Sequence, residues 1–261
     1  MNIGVIGLGK MGEAIAKGLV GSRGYRIYFS DSDSLRSKEI VGRYRRFKNV
    51  DIEKLIDISS IIILAVKPQN LKALLNDINT LKTEGKLFIS IAAGVSIGFI
   101  ESEGSLSKVI RAMPNMGALV GESFTVISCS EKVSSKELDL ARTIFSKIGD
   151  VKVVKEDLLD AVTAISGSGP AYFAYFIRAI EEIAIEMGLR DISPSIVLNT
   201  LEGTLKILRE LNISTDELIE RVKSPGGTTE SCLDYWQQSN LSNIIKEGVK
   251  KAINKAKELE R

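Results

Sequence analysis

Short β-rich runs alternate with helical segments through the first half of the chain, and this alternation limits the fold more than any other feature. The β-rich runs are residues 3–6, 26–29, 61–66, 87–91, 109–112, 124–128 and 151–154. Residues 61–66 are apolar at successive positions, which is typical of a strand covered by helices on both faces. The alternation predicts βαβ units in an α/β fold with a doubly wound, largely parallel sheet.

Strand signals stop near residue 156, and the remaining chain has apolar residues at helical spacing. The first such segment carries Phe173, Phe176, Ile177, Ile180, Ile183, Ala184 and Met187. The sequences SSKE at residues 134–137 and STDE at residues 214–217 have the form of capping boxes, which open helices. We therefore expect two domains, an α/β domain at residues 1–155 and an all-α domain at residues 156–261.

A glycine pattern directly follows the first predicted strand. GLGKMG places Gly7, Gly9 and Gly12 between that strand and a segment of helical periodicity. In this context Gly7 makes a tight turn, Gly9 lets the backbone approach a pyrophosphate, and Gly12 lets the helix lie close to the strand. The N-terminus of the helix also favours negative charge. The pattern predicts a Rossmann-like domain that binds a dinucleotide.

Asp31 follows the second predicted strand, about where an acidic residue grips the adenosine ribose of a dinucleotide. An equally plain alternative makes residues 30–34 an ordinary polar turn and helix cap. Asp31 disfavours a 2′-phosphate, whereas Ser30, Ser32 and Arg36 favour one. The sequence therefore predicts use of both NADH and NADPH.

Three further loops follow predicted strands. They are AVKPQN after residues 61–66, SIAAGVSI after residues 87–91 and RAMPNMGALVGES after residues 109–112. Ligands of open α/β sheets bind outside the carboxyl ends of the strands, where these loops are expected to lie. Either proline-containing loop, taken singly, is equally well explained as the end of a strand. The three together favour a nicotinamide pocket.

Composition excludes several classes of protein. The 261 residues include no His, which excludes Ser-His-Asp hydrolases, the usual zinc hydrolases and dehydrogenases with a His general acid. The 35 Lys and Arg against 33 Asp and Glu form no basic block, so we expect no nucleic-acid partner. No targeting segment or long apolar run is evident, so we expect no membrane partner and a cytoplasmic location. Cys129 and Cys232 fit a reducing compartment and are expected to be small buried residues.

Motifs along nearly the whole chain resemble, in order and spacing, those of the pyrroline-5-carboxylate reductase family. They are GLGKMGEAIAKGL, AVKPQ, SIAAGVSI, RAMPNMGALVGE, DAVTAISGSGPAYF and VKSPGGTTES. Two departures are Asp31, where the family often has a small polar residue, and Met116, where Thr is common. The resemblance implies hydride transfer from the nicotinamide C4 of NADPH or NADH to the C=N carbon of 1-pyrroline-5-carboxylate, which yields L-proline in the last step of proline biosynthesis.

The resemblance also implies a set of site residues. Those expected at the coenzyme are Gly7, Gly9, Lys10, Met11, Gly12, Ser30, Asp31, Ala65, Val66, Lys67, Pro68, Ala92, Ala93, Met113, Pro114 and Asn115. Those expected at the substrate are Ser168, Ser224, Gly226, Gly227, Thr228 and Thr229. Thr229 is the expected catalytic residue because, by similarity, its hydroxyl forms a hydrogen bond with the ring nitrogen. No metal ligands are expected.

The stretch KSPGGTTESCL interrupts the helical half of the chain. Its glycines are expected to expose backbone N–H groups, beside Ser224, to a substrate carboxylate at a helix N-terminus. The alternative is a Pro-Gly turn with a Thr N-cap.

SGSGPAY at residues 166–172 also has two interpretations. It is either a break between helices with Pro170 in the first turn of the second helix or, from the resemblance, a part of the substrate-binding site.

The resemblance implies a homodimer through intertwined C-terminal helices, and it leaves open a higher oligomer of dimers.

Two rival functions remain. A related imine or β-hydroxyacid-type reductase is expected to carry a Lys on the long helix after its Gly-rich motif, and residues 171–187 contain none. A non-catalytic regulator that senses NAD(P) is expected to show a DNA-binding helix pair or a basic face, and the sequence shows neither.

Overall fold

The chain divides into two compact units. Residues 1–20 and 24–259 are described by the structure, a computed structural model. One unit is Met1–Pro170 together with the chain from Ala252 onward, and the other is Ala171–Lys251. Residues 156–170 thus group with the first unit by packing, because side chains such as Asp160 contact its sheet. The domain boundary at residues 155 and 156 stays a prediction.

In the described residues, the first unit is built around an eight-stranded sheet. Its strands are β1 (Asn2–Ile6), β2 (Arg26–Ser30), β3 (Phe47–Asn49), β4 (Ile61–Leu64), β5 (Leu87–Ser90), β6 (Val109–Met113), β7 (Ser123–Cys129) and β8 (Gly149–Val153). Their order is β3-β2-β1-β4-β5-β6-β7-β8, and neighbours pair in parallel except β6 and β7. The first six positions have the doubly wound Rossmann order, so the predicted α/β fold is confirmed.

Helices cover both faces of this sheet. They are α1 (Lys10–Val20), α2 (Ser34–Arg43), α3 (Ile52–Ile58), α4 (Pro68–Asn79), α5 (Ile97–Gly104), α6 (Ser135–Phe145) and α7 (Leu159–Val162), with 3₁₀ turns at Met116–Val120 and Glu156–Leu158 and a π-helical turn at Thr163–Gly167. Alternate residues of β4 enter different apolar clusters, Ile61 and Ile63 on one face and Ile62 and Leu64 on the other. The predicted capping box of Ser134 and Glu137 is confirmed at α6.

One strand and several strand ends differ from the sequence-based expectation. β3 was not predicted, because this edge strand of three residues has Phe47 as its only buried side chain and is too short for a recognisable alternation. β4 was predicted as far as Val66, whereas the strand ends at Leu64. The Ala65 N–H donates to the Ile6 carbonyl at 2.8 Å, and the ladder stops there because β1 itself ends at Ile6.

The second unit is helical, as predicted. It comprises most of α8 (Gly169–Glu186) and of α12 (Leu241–Leu259), together with α9 (Ser193–Glu210), α10 (Thr215–Val222) and α11 (Thr228–Gln238). An apolar groove of about 440 Å³ lies between α8 and α9. Large apolar side chains along α8 are exposed, among them Phe173 and Tyr175, each at 67%. Among the helices of the described residues, none is long and apolar enough to cross a membrane.

The two cysteines lie in different surroundings. Cys129 is half-buried at the end of β7, and burial raises the pKa of its thiol. Cys232 is exposed on α11, so the expectation that both cysteines are buried is wrong for this one. The reason is that α11 buries none of its residues within the single chain.

Glu13, in the first turn of α1, joins this helix to α2 through ionic hydrogen bonds. Its carboxylate accepts hydrogen bonds from Arg43 at 2.7 Å, from Tyr44 at 3.1 Å and from Arg36. Glu39 pairs with the same two arginines. Burial opposes the charge of Glu13, but the hydrogen bonds from Tyr44, Arg43 and Arg36 outweigh it and hold the pKa of this carboxyl below its ordinary 4.5.

Replacement of Glu13 by Gln is expected to lower the free energy of unfolding by about 1 kcal/mol at neutral pH, the value typical of partly exposed ion pairs. Because the folded-state pKa lies below the ordinary value, this contribution is present at neutral pH and is lost as the pH falls through the folded-state pKa. Urea unfolding of parent and variant over a range of pH measures the difference. Glu53→Gln, at an exposed position of α3, is the control. If the difference in the free energy of unfolding between parent and variant is the same at acidic pH as at neutral pH, the prediction is wrong.

Candidate functional site

The loops predicted to hold a coenzyme meet at one edge of the sheet. Residues 7–12 follow β1, residues 65–68 follow β4, residues 92 and 93 follow β5, and residues 113–115 lie at the end of β6. These four strands are neighbours and run parallel, so their carboxyl ends share an edge. The structure therefore brings these predicted residues together where open α/β sheets bind their ligands.

Packing explains two of the three motif glycines, and open space distinguishes the third. Gly7 has φ 93°, in the left-handed region that favours glycine, and a Cβ there would lie 2.7 Å from the Ala65 carbonyl oxygen. A Cβ at Gly12 would overlap the Gly7 carbonyl oxygen. A Cβ at Gly9 would meet no atom within 4 Å. Gly7 and Gly12 are thus required by the fold, whereas Gly9 leaves room for a ligand to approach the backbone.

The N-terminus of α1 faces this glycine loop. Lys10, its first residue, is exposed, and Met11 packs against the apolar core. The Glu13 N–H donates to the Gly9 carbonyl at 2.9 Å, the first hydrogen bond of the helix. The N–H groups before it are the unpaired ends of the helix, which attract an anion such as a pyrophosphate.

Asp31 anchors the glycine loop from the neighbouring strand. Its carboxylate accepts the Leu8 N–H at 2.5 Å and the Asp33 N–H at 2.8 Å. Asp33 in turn caps α2 by accepting the N–H groups of Leu35 and Arg36. The polar turn and cap therefore exist, with Asp33 as the cap. Asp31 is half-buried and points at the predicted coenzyme loop, not at bulk solvent.

Arg36 has the charge to bind a 2′-phosphate, but its guanidinium is already engaged. Its Nε donates to the Leu8 carbonyl at 3.0 Å, and its other two nitrogens bond Glu39 and Glu13. A phosphate must compete with these two carboxylates for the same donors. Ser30 is the half-buried last residue of β2, and Ser32 beyond it is exposed.

The loops after β4 and β5 present small or exposed residues to the edge. Ala65 and Val66 are half-buried, and Lys67 and Pro68 are exposed at the start of α4, where Lys67 is the N-cap residue. Ala92 is buried, and its N–H donates to the Ser90 hydroxyl at 3.3 Å; Ala93 is half-buried.

Asn115 is held from three sides at the end of β6. Its N–H donates to the Ser123 hydroxyl at 3.1 Å, and its Oδ1 accepts the Gly117 N–H at 3.0 Å. Its Nδ2 donates to the Ser166 hydroxyl at 3.0 Å. This role of Ser166 is not predictable from the sequence, because a partner 51 residues away leaves no local pattern.

The π-helical turn places Ser166 beside the loop of Met113 and Pro114. A Cβ at Gly167 would lie 2.7 Å from the Met113 Cε, so the turn contacts this loop closely. Met113 is half-buried and Pro114 is buried. π turns are rare and occur often at functional sites.

Ser168 and Pro170 lie where the π-helical turn passes into α8. The Ser168 N–H donates to the Thr163 carbonyl at 3.0 Å, five residues earlier. α8 begins at Gly169, with Pro170 in its first turn. The predicted break between helices is confirmed, and a role of Ser168 at the substrate stays a prediction.

The predicted substrate loop, described within the second unit, precedes α11. The Gly226 N–H donates to the Glu230 carboxylate at 2.7 Å, and the Gly227 N–H donates to the Ser224 carbonyl at 2.9 Å. The expectation that these glycine N–H groups are exposed is therefore wrong for this conformation. Gly226 instead supplies the turn, with φ 69°.

The N-terminus of α11 is the open feature of this loop. Gly227 is its N-cap residue, so the alternative of a Thr N-cap is also wrong, and no side chain caps the helix. Thr228 is the first helical residue and is exposed, as is Ser224, whereas Thr229 is half-buried. An uncapped helix N-terminus attracts a carboxylate.

The fold and the glycine loop define a dinucleotide-binding protein of the Rossmann class with an added helical region. Residues 2–94 match the family model described as NADP oxidoreductase coenzyme F420-dependent. Residues 156–259 match the one described as pyrroline-5-carboxylate reductase dimerisation. A pyrroline-5-carboxylate reductase from Synechocystis sp. is 34% identical over 99% of this chain and 98% of its own. The chain belongs to the pyrroline-5-carboxylate reductase family.

Two solved structures are similar to this chain over nearly its whole length. The Plasmodium falciparum pyrroline carboxylate reductase with NADP bound covers 100% of this chain and 98% of its own, at a TM-score of 0.89 and 29% identity. The Streptococcus pyogenes 1-pyrroline-5-carboxylate reductase covers 99% and 98%, at a TM-score of 0.90 and 31% identity.

The contrast between Gly9 and Gly12 leads to a paired prediction. Gly9→Ala is expected to fold like the parent and to bind NADPH about tenfold more weakly or worse, because the methyl group enters the space open to a pyrophosphate. Gly12→Ala is expected to lose about 1 to 3 kcal/mol of stability through overpacking. Thermal unfolding and titration of NADPH fluorescence measure the two effects.

Gly42→Ala is the matched control, since Gly42 is an exposed helical glycine whose Cβ would meet no atom within 4 Å. This variant should lower neither the thermal stability nor the NADPH affinity. Undiminished NADPH affinity of Gly9→Ala argues against the glycine loop as the pyrophosphate site.

Proposed function

We propose that this protein reduces 1-pyrroline-5-carboxylate to L-proline with NADPH or NADH, the last step of proline biosynthesis. The proposal depends on one observation. A glycine loop with open space at Gly9 lies at the carboxyl edge of the sheet, in a chain that aligns with pyrroline-5-carboxylate reductases over nearly its whole length. The test is the loss of dihydronicotinamide absorbance when the purified protein, NADPH and 1-pyrroline-5-carboxylate are mixed, with L-proline identified as the product.

The reaction suits a chain without histidine. A cyclic imine is basic enough to be partly protonated before reduction, and its iminium carbon is already electrophilic. No strong general acid is required, and the protein's task is to align two reactants and to exclude water. The coenzyme, when bound, supplies the hydride.

The coenzyme edge of the sheet supplies the first half of this alignment. Gly9 and the N-terminus of α1 would hold the pyrophosphate, and Asp31 would bind the adenosine ribose. Asn115, fixed by three hydrogen bonds, stands at the end of β6 where the nicotinamide is expected. The roles of the other predicted coenzyme residues at this edge stay part of the proposal.

The loop before α11 would supply the substrate half. The uncapped N-terminus of this 11-residue helix offers N–H groups and a positive dipole end to the substrate carboxylate. The Glu230 carboxylate already accepts the Gly226 N–H at 2.7 Å, so the substrate carboxylate would bind the N–H groups in the first turn of α11. The Thr229 hydroxyl would form a hydrogen bond with the ring nitrogen, as a donor to the imine or an acceptor from the iminium.

The helical unit supports a homodimer through the C-terminal helices. Buried residues are few in α8 and α9, and the structure shows none in α10 and α11. Apolar surface of this kind, left open in one chain, is typical of a protein-protein interface. A second copy would cover it, in line with the dimerisation family model at residues 156–259. A higher oligomer of dimers and a cytoplasmic location belong to the same proposal.

The rival functions find less support. α8 carries no Lys between Ala171 and Glu186, which a β-hydroxyacid-type reductase is expected to use. A non-catalytic NAD(P) sensor does not need the substrate motif VKSPGGTTES.

Replacement of Thr229 by Val is expected to lower kcat/KM for 1-pyrroline-5-carboxylate by about 10- to 100-fold, because one hydrogen bond to a partly charged group is lost. Coenzyme affinity should stay nearly the same, since the glycine loop is untouched. Steady-state kinetics and NADPH titration measure both. Thr215→Val, at the exposed first residue of α10, is the control. Unaltered turnover of the Thr229 variant removes this residue from the mechanism.

The Asp31 carboxylate is expected to set the coenzyme preference. Use of both coenzymes is expected in the parent, and Asp31→Ser should shift the ratio of kcat/KM towards NADPH by about tenfold or more, or ~1.4 kcal/mol, because a like charge near the 2′-phosphate is removed. Activity with both coenzymes should also fall, since the Leu8 N–H loses its acceptor. Asp33→Ser, which keeps a helix cap and removes a charge two residues away, is the control. An unchanged ratio shows that Asp31 only anchors the loop.

A further inference from the structure

Arg111 is the largest of the fully buried side chains, with 2% of its surface exposed. It lies in β6, two residues before Met113, so both side chains project from the same face of the sheet. Its guanidinium pairs with Glu156 at 3.3 Å and with Asp160 at 3.1 Å. Asp160 is itself buried. A buried arginine therefore ties the chain after β8 to the middle of the sheet.

Glu156 extends this contact to a third element. Its Oε1, which pairs with Arg111, also accepts the N–H of Ile97, the first residue of α5, at 2.7 Å. One carboxylate oxygen thus joins β6, α5 and the turn Glu156–Leu158. The start of the following segment has a defined position relative to the strand.

The same segment then reaches the predicted nicotinamide loop. Through α7 it enters the π-helical turn, where Gly167 packs against Met113 and Ser166 accepts a hydrogen bond from Asn115 at 3.0 Å. Residues 156–167 therefore contact β6 and its loop at Arg111, Met113 and Asn115 in succession. The ion pairs lie at one end of this row of contacts, and Asn115 lies at the other.

We propose that Arg111 is a positioning residue for the reductase: its ion pairs fix residues 156–167 and, through Ser166, the side chain of Asn115 at the coenzyme edge. This inference rests on the proposed function. A buried ion pair gives little net stability over a well-packed apolar replacement, but its directional bonds select one arrangement. Arg111 acts on the reaction through Asn115 and does not touch the substrate.

The first test is Arg111→Lys, which keeps the charge and loses the planar fork that reaches two carboxylates. With 1-pyrroline-5-carboxylate as substrate, kcat is expected to fall about 10- to 100-fold, the effect of a misplacement of about 1 Å. The Kd for NADPH should stay within about threefold, because the glycine loop is unchanged. Unchanged kcat overturns the proposal.

A double-mutant cycle with Ser166→Ala separates positioning from plain stability. If Arg111 acts through Ser166, the loss of kcat in Arg111→Lys is much smaller in the Ser166→Ala background than in the parent. If Arg111 acts on kcat independently of Ser166, the two effects on kcat multiply, which overturns the proposal. Lys108→Met is the matched control, since it breaks the ion pair of Lys108 with Glu137, 2.7 Å long, just before β6. It should lower stability alone.

A readout without turnover keeps this inference separate from the proposed function. The emission of bound NADPH, recorded with no substrate present, reports the surroundings of the dihydronicotinamide. Arg111→Lys and Ser166→Ala are expected to shift this emission in the same direction, and Lys108→Met is not. If the parent fails to reduce 1-pyrroline-5-carboxylate, the proposed function fails, and this emission still decides the role of Arg111. Asp160→Asn replaces Arg111→Lys in every arm if the latter does not fold.

Discussion

The close approach of α1 to the end of β1 is the constraint on which the rest of the first unit depends. It requires glycine at residue 12, where any side chain would meet the Gly7 carbonyl, and at residue 7, beside Ala65 of the next loop. Because β1 pairs in parallel with β2 and β4, the loops after these three strands lie at the same edge. The space above Gly9 remains open there for the coenzyme.

Charged groups hold this edge in shape. Asp31 accepts the N–H of Leu8, and Arg36 donates to the carbonyl of the same residue, so the glycine loop is held at both backbone polar groups of one residue. Arg36 is in turn held by Glu13 and Glu39. The groups that would choose between NADH and NADPH therefore also support the loop, so a substitution that changes the coenzyme preference also weakens the loop.

The helical unit has a different physical character. α8 and α9 carry many exposed apolar side chains and bury little in one chain, although Phe176 of α8 and Trp236 of α11 form an aromatic pair with ring centres 6.1 Å apart. A reaction that needs alignment of two reactants and exclusion of water, but no histidine, suits an architecture in which a second copy covers such surface. Catalysis and assembly would then depend on the same helices.

Local patterns in the sequence determined the sheet, the helical half, the capping box at Ser134 and the glycine loop, because each depends on neighbouring residues or on a spacing within one element. The family motifs identified the residues that are expected to bind the coenzyme. Only the tertiary structure decided that Asp31 bonds Leu8, that the glycine N–H groups of the loop before α11 are already occupied, and that Ser166 holds Asn115. It alone also revealed the ion pairs of Arg111. The physical reason is that most of these contacts join residues far apart in the chain, and a buried charge or a π turn leaves no periodic trace in the sequence.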